Sequence, residues 1–288
     1  VKSVRQIFDP PSGHWVGDGF PVRSLFSYHQ QAQAISPFLL LDYAGPYAFD
    51  PAEQPRGVGV HPHRGIETVT VVYHGEVSHR DSAGGGGTIG PGDVQWMTAG
   101  GGILHEEFHS PQFTHSGGVL QMVQLWVNLP AADKMTPATY QSIEAAQIPN
   151  IELPNGAGQL RVIGGQFGEH RGPAHTFSPL CVADARLHAG ATASLLVPEG
   201  WNAQLVVLEG EVQVGDASPA GVAQVINLSA EGQDIEVTAI GDALVLLLAG
   251  EPIQEPVVGY GPFVMNTREE IVQAMRDFES GQFGQMSA

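Results

Sequence analysis

Seven of the chain's 12 histidines, His61, His63, His74, His79, His105, His109 and His115, fall within a stretch of 55 residues. Two short patterns inside that stretch could do chemistry. VHPHRGIE holds His61 and His63 two residues apart, and ILHEEF holds His105 and Glu107 two residues apart. On a β-strand, residues i and i+2 point to one face. Two neighbouring strands can therefore present three imidazoles and one carboxylate inward, with Pro62 and Glu106 turned away. Such a donor set suits one divalent first-row metal: Fe(II), Mn, Ni, Cu or Zn. The lack of thiolate argues against a purely structural zinc site. A divalent ion with one carboxylate carries a net charge of about +1, which favours an anionic oxygen ligand such as a deprotonated phenol or enol. Imidazole ligands usually carry hydrogen-bond partners on their other nitrogen, and Glu67 or Gln95 could serve.

The remaining histidines have quieter readings. His74 and His79 are expected on or beyond a hairpin, at the surface. His170, His175 and His188 lack ligand spacing and read as solvated or capping residues. Glu106, one residue out of the inward phase, is expected to form an outward ion pair. Trp96 and Met97 read as core, and Arg64 and Gly65 as the turn after the ligand pair. GGGG at 84–87 is no phosphate loop, because neither a lysine nor a strand–loop–helix pattern follows.

The elements that must position these groups are mostly strands. FLLLDY (38–43), ETVTVVYHG (67–75), VQWMT (94–98), LQMVQLWVNL (120–129), AQLVVLEGEVQV (203–214) and ALVLLLAG (243–250) are short. They are rich in β-branched or aromatic residues and bounded by Gly, Pro or Asp. The 37 glycines and 21 prolines, about a fifth of 288 residues, exceed the usual ~12% and imply many turns. A helix is expected only near the end. TREEIVQAMRDFESG puts Ile271, Ala274, Met275 and Phe278 on one stripe, with a Thr267/Glu270 capping box and a stop at Gly281. The polar, Pro-rich stretch 130–160 is expected to hold a domain boundary near residue 140, dividing the chain into 1–140 and 141–288.

A weak internal repeat supports two domains. VVYHGEV (71–77) resembles VVLEGEV (206–212), and TAGGGILHEE (98–107) resembles TAIGDALVLL (238–247). Those offsets carry His61, His63, His105 and Glu107 onto Leu196, Pro198, Val245 and Leu247. No ligand type survives, so the second domain is expected to hold no metal.

Composition excludes several classes of function. The formal charge of −18 is the wrong sign for binding nucleic-acid phosphates or an anionic membrane. The chain is too apolar for an acidic disordered tail, at 42% hydrophobic and 15% charged residues. The single cysteine, Cys181, excludes a disulfide framework and reads as a small buried hydrophobe. No apolar run of membrane-spanning length exists, and VKSVRQIFDP has no signal-like apolar core. A cytoplasmic monomer is the expectation.

HPHRGIETVT, IGPGDVQWMTAGGGILHEE and the upstream SPFLLLDYAGP resemble the pirin family of the cupin superfamily. The stretch 37–110 carries the closest likeness, and GPFVMNTREEI extends it to nearly the whole chain. The resemblance implies a mainly β bicupin, two jelly-roll-like barrels with a C-terminal helix. It also implies one non-heme metal, usually iron, in the N-terminal barrel. The family's three histidines and one glutamate fall on His61, His63, His105 and Glu107. Departures are the glycine-rich GGGILH and DSAGGGGTIG (81–90). The activity implied is that of a quercetin 2,3-dioxygenase, which uses O₂ to cleave a flavonol with release of carbon monoxide and a depside. In that reading Glu107 is both ligand and base. The alternative implied by the family is a redox-sensing regulator that acts by binding a transcription factor or a metabolic enzyme.

Overall fold

In the computed structural model, which describes residues 1–287, the chain forms two β units. Each unit is assembled from three segments. The N-terminal barrel comprises 12–24, 39–145 and 254–288; the C-terminal barrel comprises 1–11, 25–38 and 146–253. The two long segments change over between Ala145 and Ala146, and the terminal segments make the division non-linear.

The N-terminal barrel has a seven-stranded sheet and a four-stranded sheet. The larger runs in the order Thr139–Ile143, Val94–Thr98, Ile66–His74, Gly118–Asn128, Phe38–Phe49, Phe20–Ser27 and His14–Val16. The smaller runs Gly57–His63, Ile103–His109, Val77–Asp81 and Gly86–Ile89. The C-terminal barrel repeats the plan. Its large sheet follows Val4–Phe8, Val225–Leu228, Asn202–Glu209, Ala243–Gly250, Leu180–Leu187, Gly158–Phe167 and Asn150–Leu153. Its small sheet follows Thr192–Leu196, Asp234–Ala239, Glu211–Val214 and Ala220–Gly221.

The first half of the sequence repeat is real. YHGEV and LEGEV are the same turn from the large sheet to the small sheet of each barrel, made at Gly75 (φ 89°) and Gly210 (φ 74°). The second half is misregistered. Val245 and Leu247 belong to a strand that takes the place of Gly118–Asn128. The place of the His105 strand is taken by Asp234–Ala239. There the cross-strand pairs Ala193–Val237 and Leu195–Ile235 stand where His61 pairs with His105. All four are buried in the apolar core. The mismatch arose because a shared TA-x-G turn was aligned without regard to strand order.

The expected strands form, FLLLDY extending on to Phe49, and AQLVVLEGEVQV breaks at Gly210 into two. The 130–160 stretch is more structured than expected, with strands at Thr139–Ile143 and Asn150–Leu153. An additional helix spans Tyr28–Ile35. Cys181 is buried, and burial pushes its thiol up to about 12. No described helix is long and apolar enough to cross a membrane.

The terminal helix, Arg268–Glu279, starts at the expected box. Thr267 Oγ1 accepts from Glu270 N at 3.2 Å, and Glu270 Oε1 accepts from Asn266 N at 3.2 Å. Gly281, at φ 78°, follows its end. Its buried face is rotated from the expected stripe. Ile271, Ala274 and Asp277 are buried, while Met275 and Phe278 are exposed. The reason is polar: Asp277 Oδ2 accepts from Arg64 Nη1 at 2.8 Å. Thr267→Ala, which removes the cap but no core contact, is expected to lower unfolding free energy by about 1 kcal/mol, read from the shift in a denaturant midpoint.

Candidate metal centre

The Gly57–His63 and Ile103–His109 strands are antiparallel neighbours, with His105 opposite His61 and Ile103 opposite His63. Along the second strand burial alternates strictly. Ile103, His105, Glu107 and His109 are buried, while Leu104, Glu106 and Phe108 are partly open. A β-bulge between His105 and Glu107 resets the pairing with the His61 strand.

The donor atoms of His61, His63 and His105 lie within 4.8 Å of one another, the spread expected of ligands around one ion at about 2.1 Å. Ring centroids are 5.1 Å apart for His61–His63, 4.3 Å for His61–His105 and 4.9 Å for His63–His105. Each ring has its Nδ1 engaged elsewhere. His61 Nδ1 donates to Gly59 O at 2.8 Å, His63 Nδ1 to Pro262 O at 3.4 Å, and His105 Nδ1 faces His79 Nδ1 at 3.4 Å. His105 Nε2 is buried without a hydrogen-bond partner. Buried polar atoms are nearly always satisfied, and an unprotonated imidazole nitrogen among two others is satisfied by a cation. The donor set therefore fits a divalent metal.

Burial is the main reason His63 and His105 stay neutral. It holds His63 down to about 3, helped by repulsion from His61 and opposed by the Pro262 carbonyl. It also holds His105 well below the usual imidazole range, with His63, His61 and His79 adding to the effect. A neutral ring is the form that ligates metal.

Glu107 does not join the three histidines within 4.8 Å; it forms a second such set with His79 and His105. Amide donors hold both its oxygens. Oε1 accepts from Gln95 Nε2 at 2.5 Å and from Thr70 Oγ1 at 3.3 Å; Oε2 accepts from Gln124 Nε2 at 2.8 Å. Gln95 is oriented in turn by Tyr140, whose hydroxyl donates to Gln95 Oε1 at 3.1 Å. Glu107 and His61 share a cavity of about 40 Å³ with Asp42, Gln124 and the apolar side chains of Val16, Phe20, Val22, Val58 and Met122. Ser24 Oγ donates to Asp42 Oδ1 at 2.5 Å, and burial raises the Asp42 carboxyl despite that bond.

The segment around 262–283 fixes the His63 end. Arg64 is buried, its Nε on Gly101 O at 2.7 Å, its Nη1 on Asp277, and its guanidinium 4.9 Å from the Phe283 ring centroid. Gly65, at φ 82°, lets Val264 O approach so closely that a Cβ would lie 2.0 Å from it. Lys134 Nζ donates to Gly65 O, Asn128 Oδ1 and Val264 O at 2.7–2.8 Å.

Several readings of single residues are settled here. Neither Gln95 nor Glu67 is the partner of an imidazole as expected: Gln95 supports Glu107 instead, and Glu67 does not reach the site. Glu67 pairs with Thr98, and Thr70 pairs with Gln95. Alternation therefore puts Glu67 on the sheet face opposite Thr70. Glu106 makes the expected outward ion pair, 2.6 Å from Arg80. Trp96 and Met97 are core. His109 is a core histidine among Phe20, Phe49 and Phe113, donating to Gly19 O at 2.8 Å. The surface placement of His79 was wrong: it is 2% exposed and touches His105. Its signal was present, since His79 and Asp81 in VSHRD repeat the i, i+2 pattern. Asp42 and Tyr140 were also missed, because a lone carboxylate and a tyrosine in a polar stretch carry no local pattern.

The pirin family model matches residues 19–127, and the model of the pirin C-terminal cupin domain matches 182–284. A Pseudomonas aeruginosa protein whose name assigns it, provisionally, to the quercetin 2,3-dioxygenases is 58% identical over 98% of this chain and 99% of its own length. The crystal structure of a quercetin 2,3-dioxygenase from Acinetobacter baumannii superposes with a TM-score of 0.96 at 55% identity, covering 99% of both chains. The Escherichia coli pirin YhhW, solved with nickel(II), is 19% identical with a TM-score of 0.64 over 86% of this chain and all of its own, and shares the fold.

Two outcomes follow from this geometry. Zn(II) at about a hundredfold excess over its dissociation constant is expected to raise unfolding free energy by about 2.7 kcal/mol; His105→Ala should abolish the gain in a thermal or denaturant scan. Glu67, 1% exposed, is pushed up to about 7 by burial, against the hydrogen bond from Thr98. The folded state keeps that proton between pH 4.5 and 7 while the unfolded state releases it. Stability is therefore full below pH 4.5 and falls as pH rises through 7, by roughly 3 kcal/mol. Glu67→Gln should remove that slope from a stability–pH profile.

Proposed function

The chain belongs to the pirin family of the cupin superfamily, and from that premise we propose that it is a metal-dependent dioxygenase of the quercetin 2,3-dioxygenase type. One observation carries the reading: three imidazoles converge, the two inner ones buried and held neutral, beside a cavity that is apolar except for carboxylate and amide groups. His61, His63, His105 and Glu107 would hold one metal per chain, with Fe(II) the leading candidate and Mn, Ni, Cu or Zn compatible with the same donors. The apolar pairs at the corresponding places of the C-terminal barrel support a second barrel without metal. When bound, the metal supplies Lewis acidity toward an ionised substrate hydroxyl and a centre for O₂ activation.

The protein's own groups do the rest. Glu107 is the candidate base for the flavonol hydroxyl proton. Gln95 and Gln124 fix the orientation of its two oxygens. Asp42 places a second carboxylate in the same cavity. The apolar wall excludes water from the reacting carbon framework.

The cavity volume of about 40 Å³ exceeds the roughly 10–15 Å³ needed by one water. It is far below the roughly 300 Å³ of a pocket that encloses a drug-sized ligand. A flavonol therefore needs the wall formed by Phe20, Val58 and Met122 to part. Substrate-dependent O₂ uptake tests the reading. Fe(II)-loaded protein given quercetin should consume O₂ and release carbon monoxide, and the His61→Ala/His63→Ala double variant should do neither. Glu107→Gln should lose most turnover. Full occupancy of Fe(II), and separately of Cu, Mn and Ni, without O₂ uptake would refute the flavonol reading.

A further inference from the structure

The metal-centre part of this reading, independent of the substrate, leaves one buried pair unexplained. His79 is stacked on Tyr140, with centroids 4.6 Å apart and planes 19° from parallel, and lies 5.1 Å from the His105 centroid. Its Nε2 is 3.0 Å from Asp81 Oδ2. Asp81 Oδ1 accepts from the backbone N–H of Ala83 at 2.9 Å and of Gly85 at 2.8 Å. Both groups are almost completely buried.

With Asp81 ionised, these contacts set the direction of every hydrogen bond. Its Oδ1 takes two backbone N–H groups, and its Oδ2 accepts from His79. His79 must then carry its proton on Nε2 and donate it to Asp81. Its Nδ1 is left with a lone pair, facing His105 Nδ1. His105 must donate from Nδ1, which leaves the lone pair on Nε2, the buried atom with no protein partner. We propose that the Asp81–His79 pair is a positioning device that sets the tautomer of His105, so that its Nε2 is always unprotonated and ready to ligate metal. Outer partners of this kind typically change metal affinity by 10–100-fold. The chain of bonds also explains why a histidine is used at position 79. A neutral imidazole can donate to a carboxylate from one nitrogen and accept from a second imidazole with the other.

His79 is also within reach of being a ligand, since its ring shares a 4.8 Å cluster with His105 and Glu107. Were His105 Nδ1, the atom that faces His79, given to a metal there, His105 Nε2 would stay buried and unsatisfied. The relay satisfies both.

The test is the tautomer itself. In metal-free, ¹⁵N-histidine-labelled full-length protein, long-range ¹H–¹⁵N correlation should show His105 protonated at Nδ1 and bare at Nε2, the signals being assigned with His105→Gln. Asp81→Asn keeps the shape but turns a donor toward His79. It should move the His105 proton to Nε2 and weaken Zn(II) binding at least tenfold in chelator competition. His79→Phe should weaken binding similarly, and His79→Gln, which can still accept from His105, should recover part of the loss. A wild-type His105 protonated at Nε2 would overturn the proposal without reference to any variant. So would Asp81→Asn and His79→Phe proteins that bind Zn(II) as wild type does, or a second Zn(II) equivalent that disappears with His79. A wild-type protein that binds no metal at all would sink the metal reading instead, while the metal-free spectrum would still decide the relay.

Discussion

Three imidazoles must be aimed together, with His63 and His105 buried and neutral, and most of the N-terminal barrel can be understood from that requirement. Burying a polar nitrogen without a partner costs about 1–3 kcal/mol. Burying it protonated beside two others would cost more, because like charges at these separations repel strongly in a poorly solvated interior. The fold avoids both penalties. Burial and mutual proximity hold His63 and His105 in the neutral form. The outer nitrogen of each ring is given to a fixed partner: Gly59 O, Pro262 O or His79. What remains is a set of inward lone pairs that a cation can satisfy.

The supports for these rings come from remote parts of the sequence. His63 depends on a carbonyl almost 200 residues later, and Arg64 reaches Asp277 on the terminal helix. Tyr140 serves two arms at once. Its hydroxyl orients Gln95, which steadies Glu107, and its ring stacks on His79, which steadies His105. Neither barrel is a continuous stretch of chain, and the exchange of terminal segments is what brings Pro262 and Asp277 to the ligand strands. Gly65 is required because Val264 O passes where its Cβ would be.

The convergence of His61, His63 and His105 was legible in the sequence because strand periodicity is local. His61/His63 and His105/Glu107 each advertise a shared face within three residues, and burial along Ile103–His109 follows that alternation. Turn chemistry was readable at Gly75 and the Thr267 box, while the turn at Gly210 lay hidden inside one expected strand. What could not be read depends on long-range register. Glu67 looked like a partner for the site because it follows His63 closely, yet one step of pleat sends it to the far face. His79 looked superficial because a hairpin was expected near it, yet its strand is the inner neighbour of the His105 strand. Phe278 and Met275 lost the buried face of the helix to Asp277, because a buried guanidinium needed a carboxylate. The repeat misled for a related reason: short turn motifs recur without regard to sheet order.

The central claim is one metal, held by His61, His63 and His105 with Glu107 beside them, in the N-terminal barrel alone. A crystal structure of Fe(II)-loaded protein, with anomalous maps recorded on both sides of the iron edge, tests it most directly. The account predicts a single anomalous peak per chain, about 2.1 Å from one nitrogen of each of the three histidines and within coordinating reach of a Glu107 oxygen. A peak centred on His79, a peak in the C-terminal barrel, or full iron occupancy elsewhere with these four side chains unliganded would contradict it.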